Sequence, residues 1–273
     1  MEHNSIIDNL IIDDEAKKVL RTVERIANSD NARVRRSIPS LLVVSDSGCG
    51  VTSYGKVYGK ILEHSPVLQM RGVETFVELV LPKDNKLDER LFFSSPQRAA
   101  SIRNRFYGTL LISFSEYCGQ DLIKGESFQR LLEYIELNKA NIQFIFHILS
   151  DFAARRQLVS KLNEYINIIE VCLEKPDVDK AFNYVLAELD KLGLVLKDGC
   201  ENNFKDRVLS KVIHGNTYRG YKTLNNVVER MNYEVVLGCS NNYRVIGNEI
   251  IDKLAQNYKE EVYIQGNKIG FFI

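Results

Sequence analysis

A chain of 273 residues, 45% hydrophobic and 26% charged, has the composition of an ordinary globular protein, with room for one large domain or two smaller ones. Its 36 basic and 36 acidic residues cancel, so no global charge draws it toward nucleic acid or an anionic membrane. No apolar run approaches the roughly 20 residues that span a bilayer, and residues 1–18 lack the basic start and apolar core of a signal peptide. The expected setting is therefore the cytoplasm, with no membrane association. Cys49, Cys118, Cys172, Cys200 and Cys239 form no CxxC pair, and His3, His64, His147 and His214 stand apart, so neither a disulfide framework nor a zinc cluster is expected.

In chain order, residues 15–28 form an amphipathic helix, with Ala16, Val19, Leu20, Val23, Ile26 and Ala27 on one face and Asp13 and Asp14 at its positive end. A basic connector carries Arg33, Arg35 and Arg36 and is broken by Pro39. Residues 41–44 are a buried strand, 45–50 a turn of small residues, and 52–63 a helix. Residues 73–81 alternate as a strand, and Ser95-Pro96 opens a helix to about residue 105 that bears Arg98, Arg103 and Arg105. A strand over 107–114, a helix over 126–139, a strand over 141–149, a helix capped by Asp151 and running to about 165, and a strand over 166–173 follow. Strands alternating with helices predict a three-layer α/β fold around a mostly parallel sheet over 41–175.

After Pro176 the pattern turns helical, over 177–192, 203–213, 221–231 and 244–258, and the tail reads as two strands about Gly266-Asn267. The expected organisation is an N-terminal helix and connector (1–40), an α/β domain (41–175), a helical lid (176–237), and a C-terminal helix with a hairpin (238–273).

The stretch that carries chemistry is Ser45-Asp46-Ser47-Gly48-Cys49-Gly50-Val51-Thr52. Strand, glycine-rich turn and helix is the architecture of a phosphate-binding loop, in which backbone N–H groups hold phosphate, a lysine reaches the outer phosphates and a hydroxyl meets magnesium. Gly48, Gly50 and Thr52 keep that pattern, whereas Ser45 stands in the first glycine's place and Val51 in the lysine's. Lys56 and Lys60 lie about one and two turns further on. A tight turn that holds no ligand is the competing reading.

The order of these parts resembles the AAA+ ATPase module over about residues 10–235, from the N-terminal helix through the loop, the strand LLISF, the strand FIFHIL and the lid. The resemblance implies ATP or ADP with magnesium, held by Gly48, Cys49, Gly50, Val51, Thr52, Ser113, His147 and Lys222, with Thr52 on the metal. It places His147 near a polar sensor of the γ-phosphate, Lys222 of Gly220-Tyr221-Lys222-Thr223-Leu224 at a second sensor, and Arg155 or Arg156 where an arginine finger reaches a neighbouring subunit. Ser113 takes the place of the metal-organising aspartate if Phe114 takes that of the catalytic glutamate. A shift of two residues brings Ser115 and Glu116 instead, at a displacement of about 6–7 Å, and makes Glu116 the one candidate catalytic residue. Satisfied polar groups and solvated surface charges are the alternative for each of these residues.

With Val51 and Ser113 at two charged positions, the expected function is a degenerate AAA+-like interaction or regulatory module in a homo- or hetero-oligomer. It binds nucleotide weakly or not at all and hydrolyses little. Two alternatives stand beside it. One is an active ATPase in which Lys56 or Lys222 replaces the lysine and Glu116 acts on water. The other is a nucleic-acid adaptor using the arginines at 33, 35, 36, 98, 103 and 105, although no recognisable DNA-binding motif supports it.

Overall fold

Three apolar runs frame the protein. A computed structural model describes residues 3–35, 37–63, 75–81, 108–237 and 244–266. In it, strands β1 (Ser40–Ser45), β3 (Gly108–Ser113) and β4 (Ile142–Ile148) are buried along their whole length. A strand covered on both faces has no use for polar alternation, which is why these segments read as continuous hydrophobic runs. With β2 (Phe76–Val80) and β5 (Ile168–Leu173) they form a five-stranded sheet in the order β2-β3-β4-β1-β5, every ladder parallel. The fold is thus the expected parallel α/β sandwich.

The chain divides into two compact units: Met1–Asp46 with Gly50–Glu174, and Ser47–Cys49 with Lys175–Ile273. In the first unit the two faces of the sheet differ, because side chains alternate with a period of two. One face carries Leu42, Leu110, Ile112, Phe144 and Phe146, packed with residues of α6 (Glu126–Asn138) and α7 (Arg155–Asn163) and with Leu122 of the short α5 (Gln120–Lys124). Phe114, Phe146 and Phe144 stack in sequence at centroid distances of 5.8 and 6.0 Å.

The other face is covered by α4 (Val51–Glu63). Gly55 lets that helix come close, since a Cβ there would lie 3.0 Å from the Phe76 ring, whereas one on Gly59 would make only an ordinary contact, 3.4 Å from the Thr109 hydroxyl. Two buried tyrosines of α4 anchor the N-terminal segment, which holds α1 (His3–Asp8), α2 (Asp14–Ala27) and α3 (Ala32–Arg35). The Tyr54 hydroxyl donates to the carbonyl of Ala16 at 3.0 Å, and that of Tyr58 donates to the carbonyl of Pro39 at 2.5 Å. Burial raises both phenols above their ordinary pKa, so both remain neutral donors.

The second unit holds α8 (Val178–Lys191), α9 (Glu201–Phe204), a π-helical segment (Lys205–Leu209), α10 (Ser210–Ile213), α11 (Tyr221–Leu237) and α12 (Asn248–Gly266). Asp177 caps α8 by accepting from the Lys180 N–H at 2.8 Å. A two-stranded parallel ladder joins β6 (Val195–Leu196) to β7 (Val245–Ile246).

Several expectations change. Asp151 does not cap a helix: α7 begins at Arg155 with Ala154 at its cap, after turns at Asp151, Ala153 and Ala154. The tail hairpin loses its first strand, since α12 continues to Gly266. The stretch expected as a single helix over 203–213 contains the π segment. The expected helix over 95–105 with its three arginines, Arg36, and the tail beyond Gly266 lie outside the described residues.

Candidate functional site: a glycine loop at the ends of parallel strands

Strand β1 delivers the loop. Gly48 and Gly50 adopt φ of +88° and +86°, a region closed to most side chains, and α4 starts at Val51. Cys49 is buried between the two glycines. The loop tip, Ser47–Cys49, belongs to the second unit. There the Gly48 carbonyl accepts from the Tyr221 N–H at 2.9 Å. A Cβ on Gly48 would lie 2.0 Å from the Arg219 carbonyl oxygen and 3.7 Å from the Lys222 Cβ. Lys222 itself is exposed.

The strand ends carry a neutral polar cluster. Ser113 and His147 are paired in register on β3 and β4, so their side chains share the α4 face. The Ser113 hydroxyl lies 2.9 Å from His147 Nδ1, and His147 Nε2 lies 3.2 Å from the Ser45 hydroxyl and 3.3 Å from the Ser45 carbonyl. A carbonyl only accepts, which assigns the proton to Nε2 and leaves Nδ1 to accept from the Ser113 O–H. Ser113 Oγ in turn accepts from the Ser115 N–H at 3.3 Å. One uncharged network thereby satisfies all three side chains.

His147 is only 8% exposed, and burial holds its pKa below the ordinary 6.5, against the opposing effects of the Ser45 backbone and the Glu78 charge. Below about pH 6.5 the unfolded chain takes up a proton that the folded chain refuses. The stability this ring contributes is therefore complete above that pH and is lost as pH falls through the folded-state value. The slope is up to about 1.4 kcal/mol per pH unit. Urea unfolding between about pH 5 and 7 is expected to show a shallower decline for His147→Gln than for the parent chain; equal slopes would refute the assignment.

The Thr52 hydroxyl, expected on the metal, has a partner that the sequence did not announce. Thr52 Oγ1 donates to both carboxylate oxygens of Glu78, at 3.0 Å each. Glu78 sits in mid-strand on β2, in register with Leu111 of β3, which aligns with Ile145 of β4. Ile145 Cδ1 lies 3.4 Å from where a Cβ on Gly55 would stand, so this register level faces α4. In the alternation V-E-T-F-V-E-L-V-L, Glu78 reads as an outward residue of a half-buried strand. Only the pairing of β2 with β3 and the packing of α4 reveal its position.

The remaining candidates are placed apart. Phe114 is fully buried in the core of the opposite face. Ser115 and Glu116 lie in an exposed turn beyond β3. Arg155 directs Nε to Glu170 at 2.5 Å and one terminal nitrogen to the Cys172 sulfur at 3.8 Å, so it is engaged with β5 of its own sheet. Its pKa is raised, chiefly by the hydrogen bond to Glu170. Arg156, Lys56 and Lys60 are exposed.

As a donor set, Thr52 and Glu78 offer hard oxygens: a hydroxyl in the first turn of the 13-residue helix α4 and, in contact with it, a carboxylate from β2. These suit magnesium, which needs few protein ligands and keeps water or phosphate for the rest. Thr52 and Glu78 are the residues that would hold it. For phosphate alone the fit is poorer, since Val51 brings no charge. Among the described residues no three His, Cys, Asp or Glu side chains gather into a metal site, and no helix is long and apolar enough to cross a membrane.

Comparison with known proteins gives structural matches only. No protein-family model matches the chain, and no curated protein sequence does. A solved structure of RuvB from Thermotoga maritima, described as a Holliday junction branch migration motor, superimposes with a TM-score of 0.56 at 14% identity, over 90% of this chain and 70% of that one. A proline-to-glycine variant of the same protein gives a TM-score of 0.59 at 14% identity, over 92% and 72% of the two chains. An arginine-to-alanine variant gives 0.56 at 13% identity, over 90% and 70%. At such identities the likeness speaks for backbone architecture, and this chain has the fold of the RuvB motor.

Proposed function

We propose that this chain is an AAA+-type nucleotide-binding module with little or no hydrolysis, working through protein contacts in a homo- or hetero-oligomer. The observation that carries the reading is the neutral Ser45–His147–Ser113 network at the strand ends. An ATPase of this architecture needs an acid there to organise the metal, and turnover rests on charges set against the developing charge of phosphoryl transfer. The fold shared with RuvB and the glycine loop support nucleotide binding. The absent lysine and strand-end acid argue against hydrolysis, since each such group is commonly worth a factor of about 10²–10³ in rate.

ADP and ATP, titrated calorimetrically with magnesium into the full chain, are expected to bind weakly. Phosphate release is expected below about 0.01 per second, against a typical enzyme turnover of roughly 10 per second. Rapid release that Thr52→Val abolishes would overturn the reading. The neighbours' description as junction motors and the arginines of the connector favour a nucleic-acid role. A formal net charge of zero gives that role no support, and the protein-contact reading is preferred.

A further inference from the structure

We propose that Glu78, on strand β2, supplies the metal-holding carboxylate of this site, and that it makes phosphate binding conditional on a divalent cation. The inference rests on the nucleotide reading above and deepens it. Thr52 presents its hydroxyl to both oxygens of Glu78. That places a hard, anionic donor beside the first turn of α4, where phosphate oxygens would meet the helix N-terminus. The strand-end position on β3 is unavailable for this task, because the Ser113 hydroxyl is committed to His147. Glu116 lies in the exposed turn beyond. Glu78 reaches the same face from one strand further out, on β2, which is outermost among the described strands.

The charge balance then sets the order of binding. An ordinary loop meets phosphate with a lysine, whereas this one meets it with Val51 and with a carboxylate 3.0 Å from the metal-type hydroxyl. A phosphate arriving alone faces repulsion. A magnesium or manganese ion between the carboxylate, the Thr52 hydroxyl and the phosphate oxygens turns that repulsion into attraction and needs no further protein ligand. Cation and phosphate are thus expected to bind as one unit.

The test titrates ADP into the full chain, once with manganese and once with EDTA, and follows the Mn²⁺ electron paramagnetic resonance signal in parallel. The parent chain is expected to bind ADP roughly tenfold or more tightly with manganese, with a broadened Mn²⁺ signal. Glu78→Gln keeps the shape and the hydrogen bond to Thr52 while removing the charge. It is expected to bring the two affinities together, in part by tightening ADP in EDTA. Thr52→Val, which removes the second donor, is expected to weaken only the manganese arm. A manganese dependence retained in Glu78→Gln overturns the inference. ADP binding that is indifferent to manganese in the parent chain overturns it too, while leaving the nucleotide reading in place. No ADP binding in either arm overturns both.

Discussion

Replacing Gly48 by alanine is expected to cost about 2–5 kcal/mol of stability, the largest effect of any single methyl in the loop. Two penalties add. The first is conformational: at φ +88° a Cβ is strained by roughly 1–2 kcal/mol. The second is steric, because that Cβ would stand 2.0 Å from the Arg219 carbonyl oxygen, a backbone atom that cannot swing aside as a side chain does. Relieving such a contact moves the loop tip or the Arg219–Tyr221 backbone and strains the Tyr221-to-Gly48 hydrogen bond, a cost in the overpacking range of about 1–3 kcal/mol. Gly199→Ala provides the control. Its φ is +81° and nothing lies within 4 Å of the added methyl, so it carries the conformational penalty alone. Urea unfolding of the two variants separates the terms. Equal losses would mean that the loop tip is not held against Arg219 as described.

Val51→Lys is expected to tighten ADP in the presence of magnesium by about 10–100-fold while leaving phosphate release near background. Val51 is the first residue of α4 and part-exposed, so a lysine there finds room without disturbing the core. Its ammonium would stand where phosphate oxygens meet the helix N-terminus and beside the Glu78 region. A cation at a helix N-terminus opposes the dipole at a cost of about 0.3–1 kcal/mol. That cost is small against an ion contact with a multiply charged phosphate. Turnover should not follow affinity, because the residue after Ser113 is Phe114, buried in the core of the opposite face, which brings no carboxylate to act on the attacking water, and His147 stays neutral within its network. Calorimetry paired with a phosphate-release assay checks both halves. Unchanged affinity would show that phosphate does not bind at this loop, and vigorous hydrolysis would show that the site lacked only the lysine.

Much of the architecture was legible in the sequence. The strands β1, β3 and β4 announced themselves as apolar runs because burial on both faces leaves no polar parity. Helix α8 announced itself through Asp177 and the buried spacing of Ala181, Val185 and Leu189. The glycine loop was visible because the residues around a strand-to-helix turn are neighbours in the chain. Local rules misled elsewhere. Asp151 has a capping residue's chemistry but sits four residues ahead of the helix. The tail residues Val262, Tyr263 and Ile264 have strand propensity, yet α12 carries them onward as helix.

The order of residues alone marks the main strands and helices and the glycine loop, with Val51 following it and Ser113 closing β3. Which polar groups meet at the strand ends emerges only on folding. The neutral network joins Ser45, Ser113 and His147, partners separated by as many as 102 positions, and the Thr52–Glu78 pair spans 26. Contacts of that kind are fixed by strand register and helix packing, which depend on every buried residue at once and leave no periodic trace in the chain. The physical reason is parity. A period of two decides that Glu78, Ser113 and His147 face the same way, but which strand lies beside which, and therefore which polar groups meet, is settled by the core that the whole sheet encloses.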